Sequence, residues 1–155
     1  MKACWVLMLG LFSSLVMAME PGERLAPWTL LDQFEQSYTL DDQLQVLLVA
    51  RDMEGAELVK AALQGKPKGY LEQRHALFLA DISRMPRPVA SLFAVPAMRD
   101  YNYRVLLDRQ SRVAPRYPAA AATVLWLDLR AGRFLAQRSF TDAATLAAAL
   151  EQAVP

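Results

Sequence analysis

Arg51-Asp52-Met53-Glu54-Gly55 is the stretch of this chain with the most chemistry to offer. Asp52 and Glu54 with His75, the sole histidine, would make an acid–base set if burial raised one carboxyl pKa. Met53, Met85 and Met98 with His75 would present soft donors to copper. Seven arginines between Arg84 and Arg116 would offer docking to an anion or an acidic partner. Each group also has a plainer reading. Acidic residues ahead of a helix favour its dipole. A histidine before an apolar run is a strand-end residue, and no Gly-x-Ser-x-Gly elbow accompanies it as a hydrolase would need. Scattered methionines fill cores. Asp81, Asp100 and Asp108 lie among the arginines, as on a solvated mixed-sign surface. The six glycines include no Gly-x-Gly, so no dinucleotide phosphate loop is expected. No catalytic residue, cofactor or metal is therefore assigned. The surface expected to meet a partner or ligand is Arg51, Asp52, Met53, Glu54, Gly55 and Pro118.

The N-terminus limits the chemistry further. Met1-Lys2 is a short positive start, Ala3 to Val16 is almost wholly apolar, and Val16-Met17-Ala18 places small residues at the −3 and −1 positions. Residues 1–18 read as a secretory signal peptide cleaved between Ala18 and Met19, which puts residues 19–155 in the periplasm or outside the cell, with no membrane span after cleavage. An uncleaved anchor is the alternative; a lipoprotein is disfavoured because Cys4 precedes the apolar stretch. Cleavage removes Lys2, so basic and acidic side chains balance, and a neutral chain gives no reason to expect nucleic acid. It also removes Cys4, the only cysteine, and with it any disulfide, thiol nucleophile or thiolate ligand.

The elements that must position these residues follow in order. Trp28–Leu31 and Ser37–Leu40 flank a polar turn as a β-hairpin. Gln45–Ala50 is an apolar run without alternation, the pattern of a strand buried on both faces. Residues 51–55 break it as a loop, and 56–63 reads as a helix. Residues 64–69 form a loop and 70–74 a helical turn; 76–82 is a second strand. Residues 89–98 read as a helix with Pro88 near its start, which Pro96 ends or kinks. Strands follow at 103–108, 122–128 and 133–138, the last two forming a hairpin. Thr141-Asp142 offers a cap to a helix over 143–153. Alternating strands and helices imply a mixed sheet with helices on both faces.

Four segments carry a family likeness. They are Gly22 to Gln33, Val46 to Leu63, Tyr103 to Asp108 with Val113 to Tyr117, and Val124 to Asp128 through Gly132-Arg133-Phe134. In order and spacing they resemble the thioredoxin-like superfamily, particularly its secreted peroxiredoxin and thiol-disulfide-oxidoreductase-like branch. The resemblance implies an α/β fold for residues 19–155 as one domain, with a central mixed sheet flanked by helices and an N-terminal hairpin extension. It also implies a redox dithiol near Met53 to Leu58 and a proline near Ala121 or Ala122, and this chain has neither. Exchange and peroxidase chemistry both need a thiolate. The expectation is a cysteine-free, non-catalytic member that binds an envelope protein or a small ligand, the alternative being an enzyme or carrier with a non-cysteine site in the strand-end crevice.

Overall fold

The structure, a computed structural model, describes residues 18–153. The export signal expected over residues 1–18 lies outside the described residues except for Ala18, and so does Cys4. Met19 packs against the core.

The central strand is β3 (Val46–Ala50); β1 (Thr29–Asp32) and β2 (Ser37–Thr39) precede it as the expected hairpin, antiparallel through Leu30 and Tyr38. β4 (Ala76–Asp81) runs parallel to β3, and β5 (Val105–Asp108) parallel to β4. β6 (Val124–Arg130) lies antiparallel on the other side of β3, and β7 (Arg133–Phe140) closes the sheet against it. The order across this mixed sheet is β2-β1-β5-β4-β3-β6-β7. Every residue of β3 is buried, as its unbroken apolar run requires.

Successive side chains of a strand face opposite sides, so β3 divides between two cores. Val46, Leu48 and Ala50 join one cluster, and Leu47 and Val49 the other. The first cluster lies under α1 (Met53–Ala62), through Val59, Ala62 and Leu63, and under α4 (Ala143–Gln152), through Leu146, Ala149 and Leu150. Ala90 and Val95 of the helical segment 87–98 complete it. The second cluster is covered by Leu25, Trp28 and Leu44 of the N-terminal third and by Val113, Ala114 and Tyr117. The helical cover expected on this face is thus a 3-10 turn, Ala114–Arg116, kept short by Pro115 and Pro118, which cannot donate the bonds a longer helix needs.

Three boundaries differ from the sequence expectation, each for a local reason. Helix α1 begins at Met53 rather than 56, because Asp52 caps it. β6 begins at Val124 rather than 122, because Ala122 adopts a left-handed φ of 56°. The segment at 87–98 passes through Pro96 instead of ending there. It runs as α2 (Arg87–Val89), a π-helical stretch (Ala90–Ala94) and α3 (Val95–Met98). Val95 N–H reaches Ala90 O in the wider turn, which accommodates the missing proline amide directly after it.

Candidate functional site

Asp52 governs the junction between β3 and α1. Its backbone is extended, and its Oδ1 accepts the Gly55 N–H at 2.9 Å, one of the amides a helix start leaves unpaired. Its Oδ2 accepts the Ala122 N–H at 2.8 Å. One carboxylate therefore ties the helix start to the loop ahead of β6. Gly55 makes the second tie by having no side chain: a Cβ there would stand 2.4 Å from the Thr123 carbonyl oxygen. Arg51 Nη1 donates to Ala119 O at 3.4 Å and makes the third. Ala122 occupies the place where the resemblance expects proline, and the N–H that proline lacks is the one Asp52 accepts.

This geometry corrects the reading of residues 51–55 as a loop. Met53 and Glu54 are exposed in the first turn of α1, and Gly55 is buried against the loop before β6. The residue forced by packing here is the glycine; the freely presented side chains are Met53 and Glu54.

Beside the junction is a cavity of about 380 Å³ at the C-terminal ends of β3, β4 and β5, where ligands of open α/β sheets gather. Arg51, Asp81, Arg84, Ser111, Ala114, Pro115, Tyr117, Pro118 and Ala119 line it. Two buried groups hold its far wall in place. Asp108 accepts the N–H groups of Arg112, Val113 and Ala114 at 3.0, 2.8 and 2.8 Å, fixing the turn after β5. Tyr117 Oη accepts from Trp28 Nε1 at 2.7 Å, and burial pushes its phenol above the ordinary range. Asp81 is also committed: Oδ1 accepts from Ser83 N at 2.9 Å and Oδ2 from Ser111 Oγ at 2.8 Å. Neither Arg51 nor Arg84 is ion-paired among the described residues, and Arg84 donates no hydrogen bond there.

The other candidates are dispersed. His75 ends a 3-10 turn (Glu72–Arg74) and is exposed at the start of β4, so six strand residues separate it from the crevice, about 20 Å at strand rise. Its carbonyl accepts from Gln45 N and Val46 N, a strand-end role. Asp52, Glu54 and His75 therefore do not converge. Met85 and Met98 pack against the first core while Met53 is exposed, so those sulfurs and His75 do not gather either. The arginines also separate. Arg104 pairs with buried Asp32 at 2.8 Å, Arg99 donates to Gln33 O, and Arg116 donates to Pro27 O. Of the expected contact surface, Arg51 and Pro118 line the cavity. Asp81, Arg84 and Ser111 are lining residues the sequence did not single out as a group; their one signal is that each lies at or just beyond a strand end.

No family profile matches the chain, and no curated protein sequence matches it significantly. Solved structures do. Peroxidoxin BcpB from Mycobacterium tuberculosis superposes with a TM-score of 0.57 at 17% identity, covering 89% of this chain and 99% of that one. A thio-disulfide isomerase from Thermus thermophilus gives 0.53 at 25% identity, with 87% and 97% covered. The exposed lipoprotein thioredoxin Etrx1 of Streptococcus pneumoniae gives 0.54 at 13% identity, with 82% and 99% covered. The fold is thioredoxin-like, and a chain with a single cysteine, Cys4, carries no redox dithiol. Among the described residues no helix is long and apolar enough to cross a membrane.

Proposed function

We propose that this thioredoxin-like chain is a non-catalytic binding or accessory protein of the cell envelope, with the strand-end crevice as its contact surface. One observation carries the reading. The junction where sulfur chemistry is expected on this fold is closed by a carboxylate between two backbone amides, Gly55 and Ala122, and by a glycine packed under a carbonyl. Those groups consolidate structure and have no redox couple to offer. The signal peptide read over residues 1–18 supports an envelope location, as does the description of one matched structure as an exposed lipoprotein.

A photocrosslinking amino acid placed at Pro118, and separately at His75, tests the reading in envelope preparations. A discrete adduct from position 118, absent from position 75 and lost in Arg51→Glu, is the expected result. Equal labelling from both positions, or none from 118, refutes it. Arg51 is the appropriate side chain to reverse, since changing Asp52 would disturb the helix cap as well.

A second reading, a small-ligand carrier using the same crevice, is favoured by one feature. Arg51 and Arg84 line that cavity, and neither is ion-paired among the described residues.

A further inference from the structure

We infer that the crevice at the ends of β3, β4 and β5 is a site for a small organic monocarboxylate, held between Arg51 and Arg84 with its apolar body against the proline wall. The inference deepens the reading of this crevice as the binding surface and names the chemistry it selects.

Charge is the first argument. The cavity is lined by two guanidinium groups and one carboxylate. Asp81 already receives Ser83 N–H and Ser111 O–H, and no ion pair joins it to either arginine. The lining therefore carries one uncompensated positive charge. A guanidinium has five N–H donors in a planar fork that fits a carboxylate, and Arg51 uses one of them, at 3.4 Å. A monoanion neutralises the excess charge, whereas a phosphate dianion would overshoot it and face Asp81.

Shape is the second argument. Ala114, Pro115, Pro118 and Ala119 give the cavity an apolar part of its lining. Its volume of about 380 Å³ lies in the lower part of the range for small-molecule sites. The three amides on Asp108 and the Trp28–Tyr117 bond hold that wall without a ligand, so binding pays little for ordering it.

Comparison with a larger cavity sharpens the choice. A groove of about 880 Å³ runs between the C-terminal part of α4 and the β6–β7 hairpin. Most of its charged rim is already in use: Asp42 pairs with Arg24, Arg74 donates to Leu150 O, Asp128 accepts from Trp126, and the Arg138 guanidinium sits 4.5 Å from the Trp126 ring centre, while the exposed Arg130 side chain makes neither hydrogen bond nor ion pair among the described residues. The smaller crevice is the one of the two that joins a pair of unpaired arginines, Arg51 and Arg84, to a lining that includes Pro115 and Pro118.

Titration of the chain, as isolated from cells, with benzoate, benzamide and inorganic phosphate, followed by amide NMR shifts, tests the assignment. Benzoate is expected to give saturable shifts at Arg51, Ser111 and Ala119. Neutral benzamide should bind about tenfold more weakly or less, the cost of losing a charge-assisted hydrogen bond. Arg84→Gln should weaken benzoate by a similar factor and leave the remaining spectrum in place, since Arg84 is exposed and donates no hydrogen bond among the described residues. Arg51→Gln should do the same, with added local shifts at Ala119. Shifts that never saturate, that map to the large groove, or that survive in Arg84→Gln overturn the proposal. So does benzamide equal to benzoate, or phosphate tighter than both. Failure of the crosslinking experiment alone refutes a macromolecular partner and leaves this assignment standing, because the titration uses only purified chain.

Discussion

Gly55→Ala separates a packing requirement from a flexibility requirement. In most helix positions this exchange stabilises, by about 0.5–1 kcal/mol, because alanine loses less backbone entropy. Gly55 is within α1 and its φ is not among the left-handed ones, so conformation alone predicts that gain. Sterics predict the opposite. The added methyl would lie 2.4 Å from the Thr123 carbonyl oxygen, 3.2 Å from Ala50 Cβ and 3.3 Å from Asp52 Oδ1. The nearest of these is backbone at the start of β6, and Ala122 just before it is bonded to Asp52, so the loop has little room to retreat. Overpacking of this kind costs about 1–3 kcal/mol and occasionally more; a backbone obstacle puts this case in the upper half of that range, which outweighs the entropic gain and leaves a net loss of about 1–2.5 kcal/mol. Urea unfolding followed by tryptophan fluorescence should show a lower midpoint with an unchanged slope, and the Ala122 amide resonance should move as its bond to Asp52 lengthens. A variant as stable as the parent, or more stable, would refute the argument that the helix start and the pre-β6 loop are locked by contact.

Further outcomes follow from the same geometry. Asp52→Ala removes a helix cap and the acceptor for Ala122 N–H, and should cost about 2 kcal/mol in urea unfolding. Tyr70→Phe should raise stability by about 1 kcal/mol, because the Tyr70 hydroxyl is buried without a hydrogen-bond partner among the described residues; the Arg74 guanidinium stacked 3.6 Å from the ring centre loses nothing in the exchange. Alkaline stability should fall early. Burial raises the phenols of Tyr103 and Tyr117 and pushes Tyr38 up to about 12 from 10.0. Above pH 10 the unfolded chain loses phenolic protons that the folded chain keeps, so the stability these groups contribute is full below pH 10 and is lost as pH rises toward 12. Absorbance at phenolate wavelengths should show Tyr38, Tyr103 and Tyr117 ionising late and together with unfolding; ionisation of all five tyrosines before the fold is lost would refute this. Insulin reduction by the chain should equal the blank, and turnover would contradict the sulfur-free reading.

Much of the fold was legible because its signals are local and strong. The unbroken run Val46–Ala50 marks a strand buried on both faces, and Asp142 caps α4 through Thr145 N–H as its position before an alanine-rich stretch predicts. The helix start at Met53 was hidden because Asp52 reads equally as a turn residue and as a cap; its second partner, Ala122, which ties the cap to the loop before β6, lies seventy positions away. At Pro96 the sequence left an end and a kink both open, and the π-helical stretch by which the chain continues through it leaves no mark in residue types. The candidate site was less legible. Arg51 and Pro118 border one cavity, but Arg84 and Ser111 reach it from loops after different strands, and only the sheet order makes them neighbours. His75 stood out in the sequence for its rarity, yet β4 carries it to the opposite end of the sheet.

Asp52 also decides where an anion can bind. The start of a helix ordinarily attracts negative charge, through its free amides and its dipole. At α1 that place is taken by the chain's own carboxylate, with Oδ1 on Gly55 N–H and Oδ2 turned to Ala122. A ligand carboxylate arriving at the strand ends would meet like charge over the helix. One residue away, Arg51 is held half-buried against Ala119, and Arg84 lines the same cavity. The anion-favouring position is thereby displaced from the helix start to the loop side of the crevice. The same carboxylate that makes the junction structurally self-sufficient thus moves its recognition chemistry from backbone amides to guanidinium groups, where planar fit as well as charge selects the ligand.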